Sequence, residues 1–270
     1  MTNRSNPACL LFFLFAALCL AGPANANQTI AVCVDAQPHP PYFLAERDGS
    51  LQLLEKMAAT RAGYTLEMRR EPNRRCLEDL RIGAVDAVAA TSVNSAALAV
   101  AVFPHKGQAI DQNKALAVAR TVAFRLKDGP AAWNGTSFEH LGTRVLAPAG
   151  MLLVLQKLDR LGVAYDDGAA DISQVGAKLL AHRGELAIGL EYDVAELLKQ
   201  KEFAGKIEVF PMPFTATEYY LVFSRKFHAK HTEQAENMWN ALAATRRSPE
   251  FAAALRREGL PTLDLPQLIK

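Results

Sequence analysis

Hydrophobic and polar residues along the chain alternate between short β-prone runs and longer amphipathic stretches that end at glycine. Residues 29–34 form a β-branched run, which favours a strand. Over residues 50–63, apolar side chains recur three or four positions apart and the stretch ends at Gly63. This spacing predicts a helix with one buried face and Ser50 as its cap. The following segments predict a strand at 64–68, a helix from the cap Asn73 to Gly83, and a buried strand at 85–90.

The second half of the chain repeats this order of elements. The helix end, glycine and strand at residues 80–88 have a counterpart at residues 180–188, where the glycine is Gly184. Such a repeat at matching places in two β–α–β series predicts two similar lobes. The other predicted elements are a strand at 143–147, helices at 150–161 and from the cap Asp171 to 180, a strand at 186–190, a helix at 193–201, a strand at 206–210, and helices at 232–245 and 249–258.

Two further β-prone segments, 116–126 and 219–224, follow the first and second series. If both cross between the lobes, the first lobe is discontinuous in sequence and the crossings form a hinge. The predicted fold class is therefore α/β, with two lobes and two crossover hinge strands. We place lobe 1 at 27–119 and 218–270, and lobe 2 at 120–217.

Residues 1–26 have the pattern of a cleaved secretory signal. Arg4 precedes an apolar run at 8–22, and small residues follow at 24–26. The alternative is a membrane anchor, but the run is shorter than the ~20 apolar residues that span a bilayer. Cys19 follows Leu18, whereas a lipoprotein signal needs a small residue there. We expect an exported protein that is located in the periplasm and is soluble and monomeric.

Composition and charge exclude several classes of protein. The 270 residues are 50% hydrophobic and carry 30 basic and 28 acidic side chains, which excludes a disordered chain. No cluster of Lys and Arg provides a surface for nucleic acid, so no nucleic-acid partner is expected. The histidines are scattered and the motifs for metal or phosphate binding are absent from the sequence. We therefore expect neither a metal nor a cofactor.

Removal of the signal leaves two cysteines, Cys33 and Cys76. An even number of cysteines in an oxidising compartment favours a disulfide between them. Two buried free thiols are the alternative.

Several short motifs resemble one protein family. They are Pro40-Pro41-Tyr42 after the first strand, the Gly-Ala-Val-Asp-Ala segment at 83–87, Phe103-Pro104, and the repeated Gly184. Together they resemble the periplasmic solute-binding proteins of polar amino-acid ABC transporters, family 3, and the two cysteines resemble its disulfide-bearing subgroup. The resemblance implies a type II hinge that closes on a small solute and an inner-membrane ABC permease as partner.

The resemblance also implies a set of ligand-binding residues. Tyr42 lies where an aromatic ring stacks on the solute, and a polar turn follows the third strand. In the second lobe the helix start supplies backbone donors, and an acidic residue near Tyr192 pairs with an ammonium group. The implied residues in this sequence are Tyr42, Thr91, Ser92, Asn94, Gly150, Met151 and Glu191.

The sequence departs from the family at the anchor for a carboxylate. Members that bind α-amino acids have an Arg six residues before the Phe of the Phe-Pro step, and that position is Ala97 here. A bidentate guanidinium is stronger than a neutral hydrogen bond, so its loss weakens the case for a free amino acid. Arg47, Arg120 and Arg125 are candidate substitutes, and a less charged ligand is the alternative.

Two other functions are compatible with the same resemblance. A sensor or accessory protein of an envelope complex could use this fold for contacts with a partner. A periplasmic cyclohexadienyl dehydratase also shares the fold, but it would need the missing carboxylate anchor. We therefore expect a binding protein and not an enzyme.

Overall fold

The computed structural model describes residues 28–264, so the predicted signal segment lies outside the described residues. The strands are β1 (Gln28–Asp35), β2 (Tyr64–Glu71), β3 (Ala87–Ser92), β4 (Ala101–Val102), β5 (His105–Lys106), β6 (Ala109–Ile110), β7 (Ala117–Leu126), β8 (Ala132–Trp133), β9 (Phe138–Glu139), β10 (Val145–Pro148), β11 (Tyr165–Ala169), β12 (Leu186–Leu190) and β13 (Ile207–Ser224). The helices are α1 (Ser50–Ala62), α2 (Asn73–Ile82), α3 (Ser95–Val100), α4 (Leu152–Arg160), α5 (Ile172–Leu180), α6 (Glu191–Lys199), α7 (Arg225–Lys230), α8 (Thr232–Arg246) and α9 (Pro249–Arg257).

Two sets of parallel strands are joined through two long antiparallel strands. The main sheet has the order β11-β10-β12-β7-β13-β3-β1-β2, and β4 pairs with β13. Strand β1 pairs in parallel with β2 and β3, and β10 pairs in parallel with β11 and β12. Strands β7 and β13 pair with each other. Strand β7 also pairs with β12 of one set, and β13 pairs with β3 of the other. The sheet is therefore continuous only through these two crossing strands.

The hydrophobic cores divide into two groups that define the lobes. One group contains residues from β1–β4, α1–α3 and the C-terminal helices, and we call this part lobe 1. The other contains residues from β10–β12, α5 and α6, and we call this part lobe 2. Along β13, Leu221 and Phe223 pack on one face of lobe 1 while Tyr220 and Val222 pack on the other, as alternating strand side chains do. The boundaries at 119/120 and 217/218 stay predictions.

The disulfide predicted between Cys33 and Cys76 is confirmed. The two residues are bonded, with their Cα atoms 5.5 Å apart, and both are fully buried in lobe 1. The bond joins β1 to α2 beside Phe103 and Tyr220. The alternative of two free thiols is therefore discarded.

Some predicted helix ends were wrong. Helix α1 is capped at Gly49, whose N–H donates to Gln52 Oε1 at 2.9 Å, and the Ser50 hydroxyl instead donates to the Pro41 carbonyl at 3.1 Å. Asn73 is the first residue of α2 rather than its cap. Asp171 caps α5 as predicted, because its side chain accepts from Gln174 N–H.

Gly83 and Gly184, the glycines at matching places in the sequence repeat, have different structural roles in the two lobes. Gly83 ends α2 with a positive φ of 73°, a conformation that glycine adopts at little cost. After α5 the positive φ falls on His182 instead. A Cβ on Gly184 would lie 2.6 Å from Leu146 Cγ, so Gly184 is required for close approach rather than for ending the helix.

The described part of the chain, residues 28–264, contains no helix that is both long and apolar enough to cross a membrane.

Candidate functional site

Two neighbouring cavities lie beside the crossing strands, at the edge of lobe 1 that adjoins lobe 2. Cavity 1, of about 210 Å³, lies at the carboxyl ends of β1 and β3 and is lined by Asp35, His39, Tyr42, Phe43, Asn73, Leu77, Ala89, Ala90, Thr91, Ser92, Asn94 and Tyr219. Cavity 2, of about 300 Å³, is lined by Pro40, Pro41, Tyr42, Arg120, Leu190, Glu191, Tyr192, Ala195, Pro261, Thr262 and Asp264. Tyr42 lines both cavities, so they form adjoining parts of one cleft between the lobes.

The turn after β1 brings Tyr42 into the cleft. His39 N–H donates to the Phe43 carbonyl at 2.9 Å, and Tyr42 N–H donates to the His39 carbonyl at 2.8 Å. The Tyr42 hydroxyl donates to the Val118 carbonyl of β7 at 3.4 Å. Its ring meets the Tyr219 ring edge-on, with centroids 5.8 Å apart. Tyr42 from the turn after β1 and Tyr219 from the crossing strand β13 therefore form an aromatic corner.

Burial keeps both tyrosines protonated. It is the largest cause that raises the pKa of Tyr42, and the hydroxyl of Tyr219 and the carboxylates of Asp264 and Glu191 raise it further. Burial also raises the pKa of Tyr219. Both side chains are therefore neutral at physiological pH and present polar hydroxyls on apolar rings.

The polar turn after β3 lines cavity 1. The Asn94 side chain accepts from Ala97 N–H at 2.9 Å, so it caps α3, while its amide donates to the Ser92 carbonyl at 3.1 Å. Part of the hydrogen-bonding capacity of Asn94 is thus used within lobe 1. Ser92 is half-buried and lines the same wall.

Thr91 has an unused hydroxyl. The residue is only 7% exposed, and its Oγ1 atom is buried without a hydrogen-bond partner. Buried polar atoms are nearly always paired, and an unpaired one costs about 1–3 kcal/mol. Because Thr91 lines cavity 1, its hydroxyl is a candidate contact for a ligand there.

Asp35 and His39 also line cavity 1, although neither is among the site residues predicted from the sequence. Asp35 ends β1, and its Oδ2 atom lies 3.2 Å from His39 Nε2. Both side chains line cavity 1. The available signal was the position of Asp35, a charged residue at the carboxyl end of a buried parallel strand, where α/β proteins bind ligands.

Cavity 2 combines one basic side chain with two acidic ones. Arg120 Nη1 lies 3.2 Å from Asp264 Oδ2 and 4.0 Å from Glu191 Oε2. Burial is the main cause that raises the pKa of Glu191, and the neighbouring Asp264 adds to the increase. Glu191 lines cavity 2, where it shares Arg120 with a second carboxylate, and its ligand-binding role stays a prediction.

Asp193 lies in the first turn of α6, next to the cleft residues Glu191 and Tyr192. Burial raises its pKa, and attraction to His39 acts in the opposite direction. Asp193 itself is half-buried and lines neither cavity.

Gly150 and Met151 line neither cavity. Gly150 is exposed with a φ of 82°, and Met151 occupies the cap position of α4 and packs against the lobe 2 core. Their ligand-binding role stays a prediction. Arg47 is held by the Glu258 carbonyl and Arg125 by Glu208, so only Arg120 of the three candidate arginines lies in the cleft.

Position 97 provides no anchor for a carboxylate. Ala97 is 0% exposed and packs in the lobe 1 core, where only its N–H takes part in a cap. Within residues 28–264, no group of three or more His, Cys, Asp or Glu side chains is placed to hold a metal ion. The cleft therefore offers hydroxyls, carboxylates and aromatic rings as its main binding groups.

Comparisons with known proteins establish similarity at the level of fold. No protein-family model and no curated protein matches the sequence. Among solved structures, the GluR0 ligand-binding core from Nostoc punctiforme in complex with L-glutamate has a TM-score of 0.59 at 12% identity, over 86% of this chain and 100% of that one. The probable amino-acid ABC transporter extracellular-binding protein ytmK from Bacillus subtilis has a TM-score of 0.60 at 17% identity, over 86% and 97%.

A third similar structure is a histidine kinase sensor domain with similarity to periplasmic binding proteins. Its TM-score is 0.58 at 17% identity, over 89% of this chain and 99% of that one. Identities this low support conclusions about fold alone. The resemblance predicted from the sequence is confirmed at that level: the chain has the two-lobed, type II α/β fold of the periplasmic solute-binding proteins.

Proposed function

We propose that the chain is a family 3 solute-binding protein that captures a small polar solute in the cleft between its lobes and delivers it to an inner-membrane ABC permease. The observation that carries this proposal is the cleft formed by cavities 1 and 2, which share Tyr42 beside the two crossing strands. Closure around a bound solute would exclude water and strengthen each polar contact. The proposed location is the periplasm.

Three features of the cleft support capture of a small molecule. The crossing strands β7 and β13 are the main connection between the lobes, so bending them changes the width of the cleft. The Thr91 hydroxyl, in the wall of cavity 1, is buried and has no hydrogen-bond partner among the described residues. The tyrosine corner supplies apolar surface beside these polar groups, a combination common in ligand pockets.

The test is calorimetric titration and thermal shift with a panel of amino acids, amines, organic acids and sugars. A binding protein gains stability with ligand concentration, because ligand binds only the folded state. The proposal predicts saturable binding of at least one solute class that Tyr42→Ala weakens. The matched control is Tyr165→Ala, which changes a tyrosine that lines neither cavity. Absence of binding across the whole panel would contradict the proposal.

A sensor function is a second candidate, favoured by the similarity to a histidine kinase sensor domain. The two functions differ in the partner that the closed form engages. Co-purification of the full-length protein from cross-linked cells distinguishes them: a transport role predicts a permease, and a sensor role predicts a kinase or envelope complex.

We further propose that the cleft binds its solute without converting it. The Asp35–His39 pair is the only imidazole–carboxylate ion pair found in the described residues, so it is the group to test for acid–base catalysis. Incubation with prephenate and arogenate measures the dehydratase alternative directly. Formation of phenylpyruvate or phenylalanine that His39→Gln abolishes would overturn the proposal.

A further inference from the structure

The charges around the cleft are mostly negative. Cavity 1 is lined by Asp35, and its one side chain able to become cationic, His39, is already paired with that carboxylate. Cavity 2 has Glu191 and Asp264 around Arg120. Three carboxylates therefore line the two cavities beside one arginine, and a bound cation would lower their mutual repulsion.

An independent feature of cavity 1 also points to a bound donor group. The Thr91 oxygen is buried and has no hydrogen-bond partner among residues 28–264, and the residue is part of the cavity wall. An ammonium or guanidinium group donates several hydrogen bonds and accepts none. Such a group beside Asp35 and Thr91 would pair the Thr91 oxygen and would add a charge-assisted hydrogen bond to the Asp35 carboxylate, which already accepts from Gln37 N–H and contacts His39.

The aromatic corner suits a cation as well. Tyr42 and Tyr219 lie edge to face beside the same cavity, and the face of a tyrosine ring attracts a cation within about 6 Å. Their hydroxyls remain protonated, so they add no charge of their own.

A ligand carboxylate has less support in this cleft. Position 97 is a buried alanine. Arg120 makes ion pairs through Nη1 with Asp264 and Glu191. A ligand carboxylate that approached Arg120 would therefore meet two like charges, at an electrostatic cost.

We propose that cavity 1 binds a small organic cation without a carboxylate, a primary amine or guanidine, whose N–H groups donate to Asp35 and Thr91 while Tyr42 and Tyr219 flank it. The proposal rests on the solute-binding function proposed above and specifies its ligand class. It predicts that decarboxylation of an amino acid strengthens its binding.

Matched ligand pairs test this ligand class by titration calorimetry. Agmatine and arginine, cadaverine and lysine, and histamine and histidine differ within each pair only by the carboxylate. We expect the amine to bind about tenfold tighter or more in at least one pair. If an amino acid, an anion or a neutral solute binds more tightly than every amine, the ligand class is wrong while the binding function stands. If no solute binds, both proposals fail.

Two substitutions identify the groups that hold the cation. Asp35→Asn should weaken amine binding about tenfold or more, because it removes a charge-assisted hydrogen bond. The exposed Asp167 in lobe 2 provides the control, and Asp167→Asn should leave affinity unchanged. Equal affinities in the two variants would contradict the role of Asp35.

Thr91→Val separates a ligand contact from a structural role. Valine has a similar shape, and the hydroxyl that it replaces has no partner in the folded protein. We therefore expect the melting temperature of the unliganded protein to stay the same or rise while amine affinity falls. A lower melting temperature with unchanged affinity would show that the hydroxyl is structural and overturn its assignment to the ligand.

Discussion

Glu55 should make the folded protein less stable as pH rises through neutrality. It lies in α1, which packs against α8 in lobe 1. Glu55 is 0% exposed, and both of its carboxyl oxygens are buried without a hydrogen-bond partner in the part of the chain that the structure describes. Burial raises the pKa of Glu55 to about 8 from an ordinary value of 4.5, because the charged form is poorly solvated there.

The direction of this pH dependence follows from the number of protons that the folded and unfolded states bind. Between pH 4.5 and about pH 8 the folded protein holds the Glu55 proton and the unfolded chain has released it. The folded state therefore loses stability as pH rises through this window. The loss is about 1.4 kcal/mol per pH unit, or about 3 kcal/mol between pH 5 and pH 7.

Urea unfolding at pH 5, 6, 7 and 8 measures this contribution. Glu55→Gln keeps the size of the side chain and cannot ionise, so its stability relative to wild type should increase by about 3 kcal/mol from pH 5 to pH 7. Glu67, exposed on β2, provides the control, and Glu67→Gln should follow the wild-type pH dependence. Parallel curves for Glu55→Gln and wild type would refute the reasoning.

Three more predictions concern the disulfide and the cleft. Replacing Cys33 and Cys76 by alanine should lower stability by about 4 kcal/mol and the melting temperature by on the order of 10 °C; an unchanged melting temperature would exclude a stabilising bond. Tyr42→Ala should weaken solute binding about tenfold or more, and equal affinity in calorimetry would remove Tyr42 from the site. Arg120→Gln should maintain or strengthen amine binding, because it frees Glu191 and Asp264; a loss of amine affinity would mean that Arg120 itself contacts the ligand.

The alternating order of strands and helices was predictable because each element has its own local signal. Helix α1 ends at Gly63 and α5 begins after Asp171, as the glycine stop and the aspartate cap indicate. The second crossing strand was harder to predict. The sequence pattern places a strand end at Phe210 because Pro211 and Pro213 follow, yet β13 continues to Ser224.

The pairing of β13 with β7 explains this difference. Its register shifts between Val209 and Pro213, and again between Pro213 and Thr215. Such irregularities let a strand contain proline, which has no N–H to donate to a regular ladder. A local pattern cannot show a shift that depends on the partner strand.

The candidate site was predictable only in part, for a similar reason. Tyr42, Thr91, Ser92 and Asn94 line cavity 1, and all lie near strand ends that the hydrophobic pattern marks. The ion pair between Arg120 and Asp264 depends instead on how the C-terminal segment packs beside a crossing strand. The sequence around either residue does not indicate that the two are in contact in the folded protein.

Closure of the cleft on a bound cation is the central claim, and the distance between the lobes tests it most directly. Spin labels at the exposed positions Ala99 in lobe 1 and Gln156 in lobe 2 report this distance by pulsed electron paramagnetic resonance. Labels at the exposed positions Ala99 and Lys230, both in lobe 1, provide the control pair. At a saturating concentration of the tightest-binding amine, the distance between the lobes should shorten and its distribution narrow, while the control pair stays unchanged. An unchanged distance between the lobes with the amine bound would contradict the account.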